Sequence, residues 1–247
     1  MKFSVIGAGN TGQTMAAHLG MMGHEVKLYD RNREKVEKIK ADGIELRNAL
    51  IGKVLVEATT NIGECIEGAD FIMVMTTAQA HSPICTQMQP FLQDGQSIII
   101  FNGNWGAVEF KKILSETLMN KNITIAETGA QLYLSDIIET GIVDVVQVKN
   151  NISLACIPSE KCGETIERFK AVYPQFVAVD NVLETSLNNS NPIFHTPITL
   201  FNAARMDFAQ DFFFYAEGAS PLLIKYIDSM DKERVKIAQK LGIKAKS

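Results

Sequence analysis

The sequence has few cysteines, no excess of basic residues and no long apolar run, and each of these shortages excludes a class of protein. Lys and Arg number 24 against 28 Asp and Glu, so the net charge of −4 argues against a surface for nucleic acid. No apolar run approaches the roughly 18 residues that a membrane span needs. The four cysteines have no C-x-x-C spacing, which predicts free thiols in a reducing compartment and no metal site: Cys65, Cys85, Cys156 and Cys162.

The start of the chain bears on its location in the cell, and its length bears on its number of domains. A strand predicted from Lys2 leaves no room for a signal peptide. Together with the lack of a membrane span, this predicts a cytoplasmic protein with no membrane partner. A length of 247 residues suits one large domain, or a main domain with a smaller one.

Short apolar runs alternate with helix-period stretches in the first part of the chain, which is typical of a parallel sheet covered by helices. Strands are predicted at KFSVI, EVKLYD, DFIMVM, QSIIIF, NITIAE, VDVVQVK and QFVAVD, and GIELRNALIGKVLVEA predicts a hairpin appended to that sheet. After Asn181 the β-branched runs become fewer and helix starts follow, among them Ser220-Pro221. We predict an α/β domain over residues 1–180 and a short all-helical domain over residues 181–247.

A glycine-rich stretch, VIGAGNTGQTMAAHL, joins the first predicted strand to the first predicted helix. Gly7 allows a tight turn, Gly9 lets a pyrophosphate approach the backbone, and Gly12 lets the helix and the strand pack closely. The N–H groups where the helix starts, at Asn10 and Thr11, would meet the phosphate charge. This context predicts a Rossmann-type domain that binds a dinucleotide, with a purely structural turn as the alternative.

Asp30 bears on which dinucleotide is bound. It ends the second predicted strand, where a carboxylate accepts hydrogen bonds from both ribose hydroxyls of the adenosine half. Its charge repels a 2′-phosphate, which favours NAD. Arg31 and Arg33 follow at once and either could clasp such a phosphate, so NADP stays possible.

Two later strand ends also predict cofactor contacts, because ligands bind beyond the carboxyl ends of parallel strands. Thr76 and Thr77 follow DFIMV, with His81 a few residues on, and they would lie along the cofactor. Asn102 follows SIII and would lie near the nicotinamide end. A helix cap is the alternative for Thr76, and a loop histidine is the alternative for His81.

The stretch NSNPIFHTPITLFNAARMD places a histidine between two prolines and behind a cluster of asparagines. Pro197 can occupy the first turn of a helix, so His195 is predicted just before that helix, on the face of Asn202. An imidazole near neutrality suits general acid–base work. A histidine that caps the helix or fills a domain interface is the alternative.

With these motifs, the chain resembles the opine dehydrogenase family, which includes octopine and nopaline dehydrogenases. The resemblance rests on GAGNTGQTMAAHL, TTAQAHSPI, AET at residues 126–128, NPIFHTPITLFNA and FYAEGASPLLIKYIDSMDKERVKIAQKLG, and it covers essentially the whole length. The histidine region and the FYAEG that follows it are its specific part.

The resemblance implies an NAD(P)H-dependent reductive condensation of an amino acid with a 2-oxo acid such as pyruvate. The family's acid–base histidine corresponds to His195 and its neighbouring asparagine to Asn191, while Asn202 is a further candidate for the substrate. Arg205 is our candidate for binding a substrate carboxylate, with a surface ion pair as the alternative. We expect residues 181–247 to serve substrate binding and dimerisation, and we expect a homodimer.

Two departures from the family pattern keep other functions open. Thr196 follows the histidine where the family usually has proline, and the helical domain is expected to be a shortened one without the aspartate that orients the family's histidine. A catalytically impaired NAD(P)-binding protein is therefore one alternative. The other is a ketopantoate reductase-like enzyme that reduces a 2-oxo acid, since GHEVKLYDR and FNGNWGAVE resemble that family too.

Overall fold

Two sheets organise the first three quarters of the chain in a computed structural model that describes residues 1–245. The chain divides into two compact units, Met1–Thr185 and the residues from Ser186 on. The strands are, in chain order, β1 (Lys2–Ile6), β2 (Glu25–Tyr29), β3 (Ile44–Asn48), β4 (Gly52–Val54), β5 (Glu57–Thr59), β6 (Phe71–Val74), β7 (Ser97–Ile100), β8 (Thr124–Thr128), β9 (Tyr133–Glu139), β10 (Ile142–Val148), β11 (Ile152–Ile157) and β12 (Phe176–Ala178).

Eleven α-helices connect or follow these strands within residues 1–245. They are α1 (Asn10–Met21), α2 (Arg33–Asp42), α3 (Ile62–Ile66), α4 (His81–Met88), α5 (Gly106–Ile113), α6 (Ser115–Asn120), α7 (Cys162–Lys170), α8 (Val182–Leu187), α9 (Asn191–Phe201), α10 (Ala203–Asp207) and α11 (Pro221–Lys240). Short 3₁₀ turns occur at Ala78–Ala80, Gln89–Phe91 and Ser159–Lys161. None of the helices in this range is both long and apolar enough to cross a membrane.

The main sheet has the strand order β12-β11-β8-β7-β6-β1-β2-β5, which reverses between β1 and β6. All residues of β6 and β7 are buried, because helices cover both faces of the sheet. Alternate side chains of β6 therefore enter different cores: Phe71 packs with the α1 side, and Ile72 packs with the α4 and α5 side. The predicted α/β class, with a Rossmann-type domain followed by a helical one, is confirmed.

Two details of the predicted sheet were wrong. β11 runs antiparallel to β8, and β12 is parallel to β11, so the far edge of the sheet reverses direction. The predicted hairpin forms as β3 and β4, but β3 pairs with β10 in a separate sheet of order β4-β3-β10-β9. Local periodicity predicts the strands, whereas the choice of partner depends on contacts far apart in the sequence.

The second unit packs around an apolar contact between α9 and α11. Ile198 from α9 and Leu223 and Ile227 from α11 form its buried core, and Phe214 from the intervening segment packs against them. Ser220 begins α11 by accepting a hydrogen bond from the Leu223 N–H, as the predicted helix start requires.

Candidate functional site

The turn between β1 and α1 has the geometry that a bound pyrophosphate requires. Gly7 has φ +105°, and a Cβ built at Gly12 would lie 1.8 Å from the Gly7 carbonyl oxygen, so neither position accepts another residue without a shift. A Cβ built at Gly9 would meet nothing within 4 Å, which leaves open space above that backbone. No side chain caps α1 at its N-terminus, which begins at Asn10 and Thr11.

Asp30 lies beside this turn, on the side where the adenosine half is predicted to bind. Its Oδ2 accepts a hydrogen bond from the Ala8 N–H at 2.8 Å, and its Oδ1 accepts one from the Asn32 N–H at 2.9 Å. The Lys35 ammonium lies 3.7 Å from Oδ2. The carboxylate is therefore fixed next to the glycine turn, while the side chain of Arg31 is exposed to solvent.

The loop after β6 places Thr76 directly against the glycine turn. The Thr76 methyl carbon lies 3.0 Å from the position that a Gly7 Cβ would take, and the Thr76 hydroxyl is buried without a hydrogen-bond partner. A buried hydroxyl without a partner is unusual, and a ligand oxygen would satisfy it. Thr77 is exposed and precedes the 3₁₀ turn, while His81 is buried as the first residue of α4 and burial lowers its pKa.

The loop after β7 has an uncommon backbone conformation that the following strand stabilises. Asn102, Asn104 and Trp105 all have positive φ, at 50°, 45° and 72°. The Asn102 N–H donates to the Thr128 Oγ1 at 2.9 Å, and the Ala107 N–H donates to the Glu127 Oε2 at 3.0 Å. Residues of β8 therefore fix the loop that carries Asn102.

Glu127 is a residue of this region that sequence reasoning did not single out. Its side chain is fully buried, and its Oε1 accepts a hydrogen bond from the Thr185 hydroxyl at 2.8 Å. A Cβ built at Gly103 would lie 2.2 Å from the Glu127 Cγ, so the loop packs directly on this side chain. The signal in the sequence is a carboxylate in TIAET, a short strand whose other residues carry no charge.

These observations together fit a nicotinamide dinucleotide. The predicted residues Gly7, Gly9, Gly12, Asp30 and Thr76 converge on one end of the sheet, at the point where the strand order reverses. That place is where open α/β sheets bind their ligands. No group of His, Cys, Asp and Glu side chains in residues 1–245 could hold a metal ion.

In the second unit, His195 lies inside helix α9 and not before it, so the predicted helix start was wrong. The helix begins at Asn191, with Pro192 in its first turn, where the fixed φ of proline suits a helix start. Pro197 lies in the helix interior and removes one backbone donor there. Asn191 and His195 are four residues apart and both are exposed, so they lie on one face of α9.

The imidazole of His195 has aromatic neighbours and one hydrogen-bond partner from a turn at residues 212–218, here called the aromatic turn. The Tyr215 hydroxyl lies 2.8 Å from the His195 Nε2. The Tyr215 ring meets the imidazole edge-on at 5.9 Å between centroids, and the Phe214 ring lies 5.7 Å away. Of the apolar run FFFY at residues 212–215, Phe214 packs against the core of this unit.

Two predicted substrate residues are engaged in contacts with the aromatic turn. The Asn202 Nδ2 donates to the carbonyl oxygens of Ile198 at 2.8 Å and Gly218 at 2.9 Å. Arg205 lies 3.2 Å from a Glu217 carboxylate oxygen, and its guanidinium stacks 4.2 Å from the Phe212 ring centroid. These contacts favour a structural role for both residues, and a role in binding substrate stays a prediction.

Two family models match the chain, one for each unit. Residues 178–247 match the alpha-helical domain of NAD/NADP octopine/nopaline dehydrogenase. Residues 2–148 match the N-terminus of NAD-dependent glycerol-3-phosphate dehydrogenase, so the first unit is an NAD(P)-binding domain.

Single proteins match this chain over longer stretches than either family model does. The opine dehydrogenase of Arthrobacter sp. (strain 1C) is 34% identical over 252 residues, which cover 99% of this chain and 69% of that protein. A structure of octopine dehydrogenase with NADH and pyruvate matches 82% of this chain with a TM-score of 0.66 and 20% identity. The match covers 55% of that octopine dehydrogenase, so this chain spans little more than half its length.

A ketopantoate reductase structure has a similar fold. The PanE/ApbA family enzyme from Ralstonia eutropha JMP134 matches the whole of this chain with a TM-score of 0.74 and 18% identity, over 77% of its own length. At that identity the likeness extends to the fold alone.

Proposed function

Because this chain belongs to the opine dehydrogenase family, we propose that it condenses the amino group of an amino acid with a 2-oxo acid such as pyruvate and reduces the resulting imine. The homology itself makes the protein an NAD(P)-dependent oxidoreductase of the opine dehydrogenase type. The observation that carries the proposal is the exposed pair Asn191 and His195 on one face of α9, inside the part that the helical-domain model matches.

His195 serves the proton transfers of this reaction. As the amine attacks the keto carbon, the neutral imidazole accepts the proton that the nitrogen releases. As an imidazolium, it donates that proton to the alkoxide oxygen, which completes the carbinolamine. It then carries the second nitrogen proton to the hydroxyl, which leaves as water and gives the imine. Asn191, one turn earlier, offers an amide that can hold a substrate oxygen by a hydrogen bond.

The residues of the first unit hold the cofactor, which when bound supplies the hydride. The glycine turn and the N-terminus of α1 bind the pyrophosphate, with Asn10 and Thr11 at the start of the helix. Thr76, Thr77 and Asn102 line the path toward the nicotinamide. Asp30 accepts hydrogen bonds from the adenosine ribose, and we propose NAD over NADP because this carboxylate repels a 2′-phosphate.

The test follows the loss of reduced nicotinamide absorbance with pyruvate, with and without a pool of amino acids, and with NADH and NADPH in separate reactions. His195→Ala removes the proposed acid–base group, and Lys236→Ala, at an exposed position on α11, is the control. We expect oxidation that requires an amino acid, is lost by about 10²- to 10⁴-fold in His195→Ala, and is kept in Lys236→Ala.

Other outcomes would replace this proposal with one of the alternatives. Oxidation with the oxo acid alone, unaffected by amino acids, would indicate ketopantoate reductase-like chemistry. Cofactor binding without any oxidation would indicate a catalytically impaired NAD(P)-binding protein.

The second unit is proposed to pair with a second copy of the chain. Several of its large apolar side chains are more than 60% exposed: Leu200, Phe201, Phe208, Phe213 and Leu222. Apolar patches of this kind mark association surfaces, and closed two-fold dimers are the commonest assembly. Light scattering at micromolar concentration should give the mass of a dimer, and a monomer mass would contradict this.

A further inference from the structure

We propose that Tyr215 is a positioning residue that fixes the tautomer of His195, so that Nδ1 is the nitrogen that exchanges the proton with the substrate. The inference rests on the proposed function, in which His195 is the acid–base group. Its basis is the hydrogen bond of 2.8 Å between the Tyr215 hydroxyl and the His195 Nε2. A neutral imidazole carries one proton, and a hydroxyl can either donate to Nε2 or accept from Nε2–H. Because the hydroxyl occupies Nε2, only Nδ1 is left to act as the base, and this requires the proton on Nε2 with the Tyr215 oxygen as its acceptor.

The chemistry of a phenol suits both charge states of the histidine. In the neutral form, Nε2–H donates to the Tyr215 oxygen, and the lone pair of Nδ1 is left to act as the base. When Nδ1 takes the proton from the amine, the imidazolium still donates its Nε2–H to the same oxygen. Nδ1 passes this first proton to the alkoxide oxygen and then carries the second nitrogen proton to the hydroxyl, which leaves as water. Tyr215 keeps its own proton throughout.

Three contacts hold the aromatic turn in place, which is what a positioning role needs. Phe214 packs into the core formed by α9 and α11, which anchors the residue next to Tyr215. Asn202 holds the end of the turn through the Gly218 carbonyl, and Arg205 binds it through the carboxylate of Glu217. Asn202 and Arg205 thus contact the turn that carries Tyr215.

Packing alone does not account for the position of Tyr215. Its side chain is 58% exposed, whereas that of its neighbour Phe214 joins the core. The hydroxyl contact is therefore the feature that distinguishes this tyrosine from a surface aromatic residue. The edge-on ring contact of Tyr215 and the tilted ring contact of Phe214 also limit rotation of the imidazole.

The test combines Tyr215→Phe, which keeps the ring and removes the hydroxyl, with Tyr226→Phe as the matched control. Tyr226 lies in the same unit, is half exposed, and contacts Phe201. The first readout is the ¹⁵N spectrum of imidazole-labelled protein, which reports the protonated nitrogen directly. The chain has four histidines, and His195→Ala identifies the signal of His195 by its loss.

We expect the wild-type signal to show a neutral His195 protonated on Nε2, and Tyr215→Phe to show a mixture of tautomers. The second readout is amino acid-dependent NADH oxidation against pH. There Tyr215→Phe should lower kcat by about tenfold and shift the pH profile, with the KM for NADH unchanged. Tyr226→Phe should match the wild type in both readouts.

Failure of this inference can be told apart from failure of the proposed function. A wild-type His195 protonated on Nδ1 overturns the inference without any tyrosine variant. An unchanged tautomer and pH profile in Tyr215→Phe overturns it as well, while loss of turnover in His195→Ala leaves the proposed function in place. If His195→Ala keeps full turnover, the proposed function fails, whatever the tautomer of His195.

Discussion

Replacing Glu127 should destabilise the first unit far more than replacing a surface carboxylate. The side chain is fully buried, and it accepts hydrogen bonds from the Ala107 N–H at 3.0 Å and from the Thr185 hydroxyl at 2.8 Å. In Glu127→Ala the amide of the buried Ala107 loses this acceptor, which costs about 1–3 kcal/mol. The Thr185 hydroxyl can donate instead to the Val182 carbonyl at 2.9 Å, so losing its contact with Glu127 costs less free energy.

The removed methylene adds about 0.8 kcal/mol of lost apolar burial. We therefore expect Glu127→Ala to lower the free energy of unfolding by about 2–4 kcal/mol, and Tm by about 5–15 °C. Glu127→Gln keeps the shape and one acceptor oxygen, so about half of that loss is expected.

The assay is urea denaturation followed by circular dichroism, with Glu109→Ala as the control. Glu109 lies on α5, two residues after Ala107, and its side chain is exposed. The same charge is removed there, and we expect a change within about 0.5 kcal/mol. Equal stabilities of Glu127→Ala and Glu109→Ala would refute the view that this carboxylate holds the loop after β7.

Three further predictions concern the glycine turn, the carboxylate of Asp30, and two histidines shielded from solvent, His18 and His81. Gly12→Ala should disrupt packing of α1 on β1 and lower Tm, because its Cβ would lie 1.8 Å from a carbonyl oxygen. Gly9→Ala should leave Tm unchanged, because its Cβ meets nothing within 4 Å, and should weaken NADH binding in fluorescence titration. Asp30→Asn should lower the ratio of NADH to NADPH affinity, and an unchanged ratio would contradict the assigned ribose contact. Burial lowers the pKa of His18 and of His81 from 6.5 in the folded state. As the pH falls, the two imidazoles therefore take up protons in the unfolded state before they do so in the folded state. The free energy of unfolding should fall as the pH drops through about 6.5. Urea denaturation between about pH 7.5 and 5.5 checks this, and His81→Asn should flatten the slope.

The sequence predicts the strands and the conformation of the glycine turn well because both depend on local signals. The strands DFIMVM and QSIIIF are continuous apolar runs, as strands buried on both faces must be. The glycine spacing 7, 9 and 12 reflects the limits of one turn. The structure shows these limits as short Cβ distances at Gly7 and Gly12 and as open space at Gly9.

The contacts of the second unit could not be predicted in this way. The partner of His195 lies twenty residues later in a turn, and FFFY indicates apolar burial more than a hydroxyl contact. The helix start was misplaced because two prolines, Pro192 and Pro197, each suit a first turn, and the sequence alone favoured the second. The engagement of Asn202 and Arg205 depends on how the aromatic turn folds back, which no local pattern indicates.

The small sheet determines the order in which the first unit can be assembled. Its central pairing joins Glu45 of β3 to Ile142 of β10, about a hundred residues later in the chain. An isolated two-stranded hairpin is only marginally stable in water. The hairpin of β3 and β4 therefore lacks the stabilising pairing with β10 while the intervening chain is still being synthesised. The layer that packs on α1 is completed only after Val148 has left the ribosome, and until then the hairpin presents an open edge that other chains can occupy.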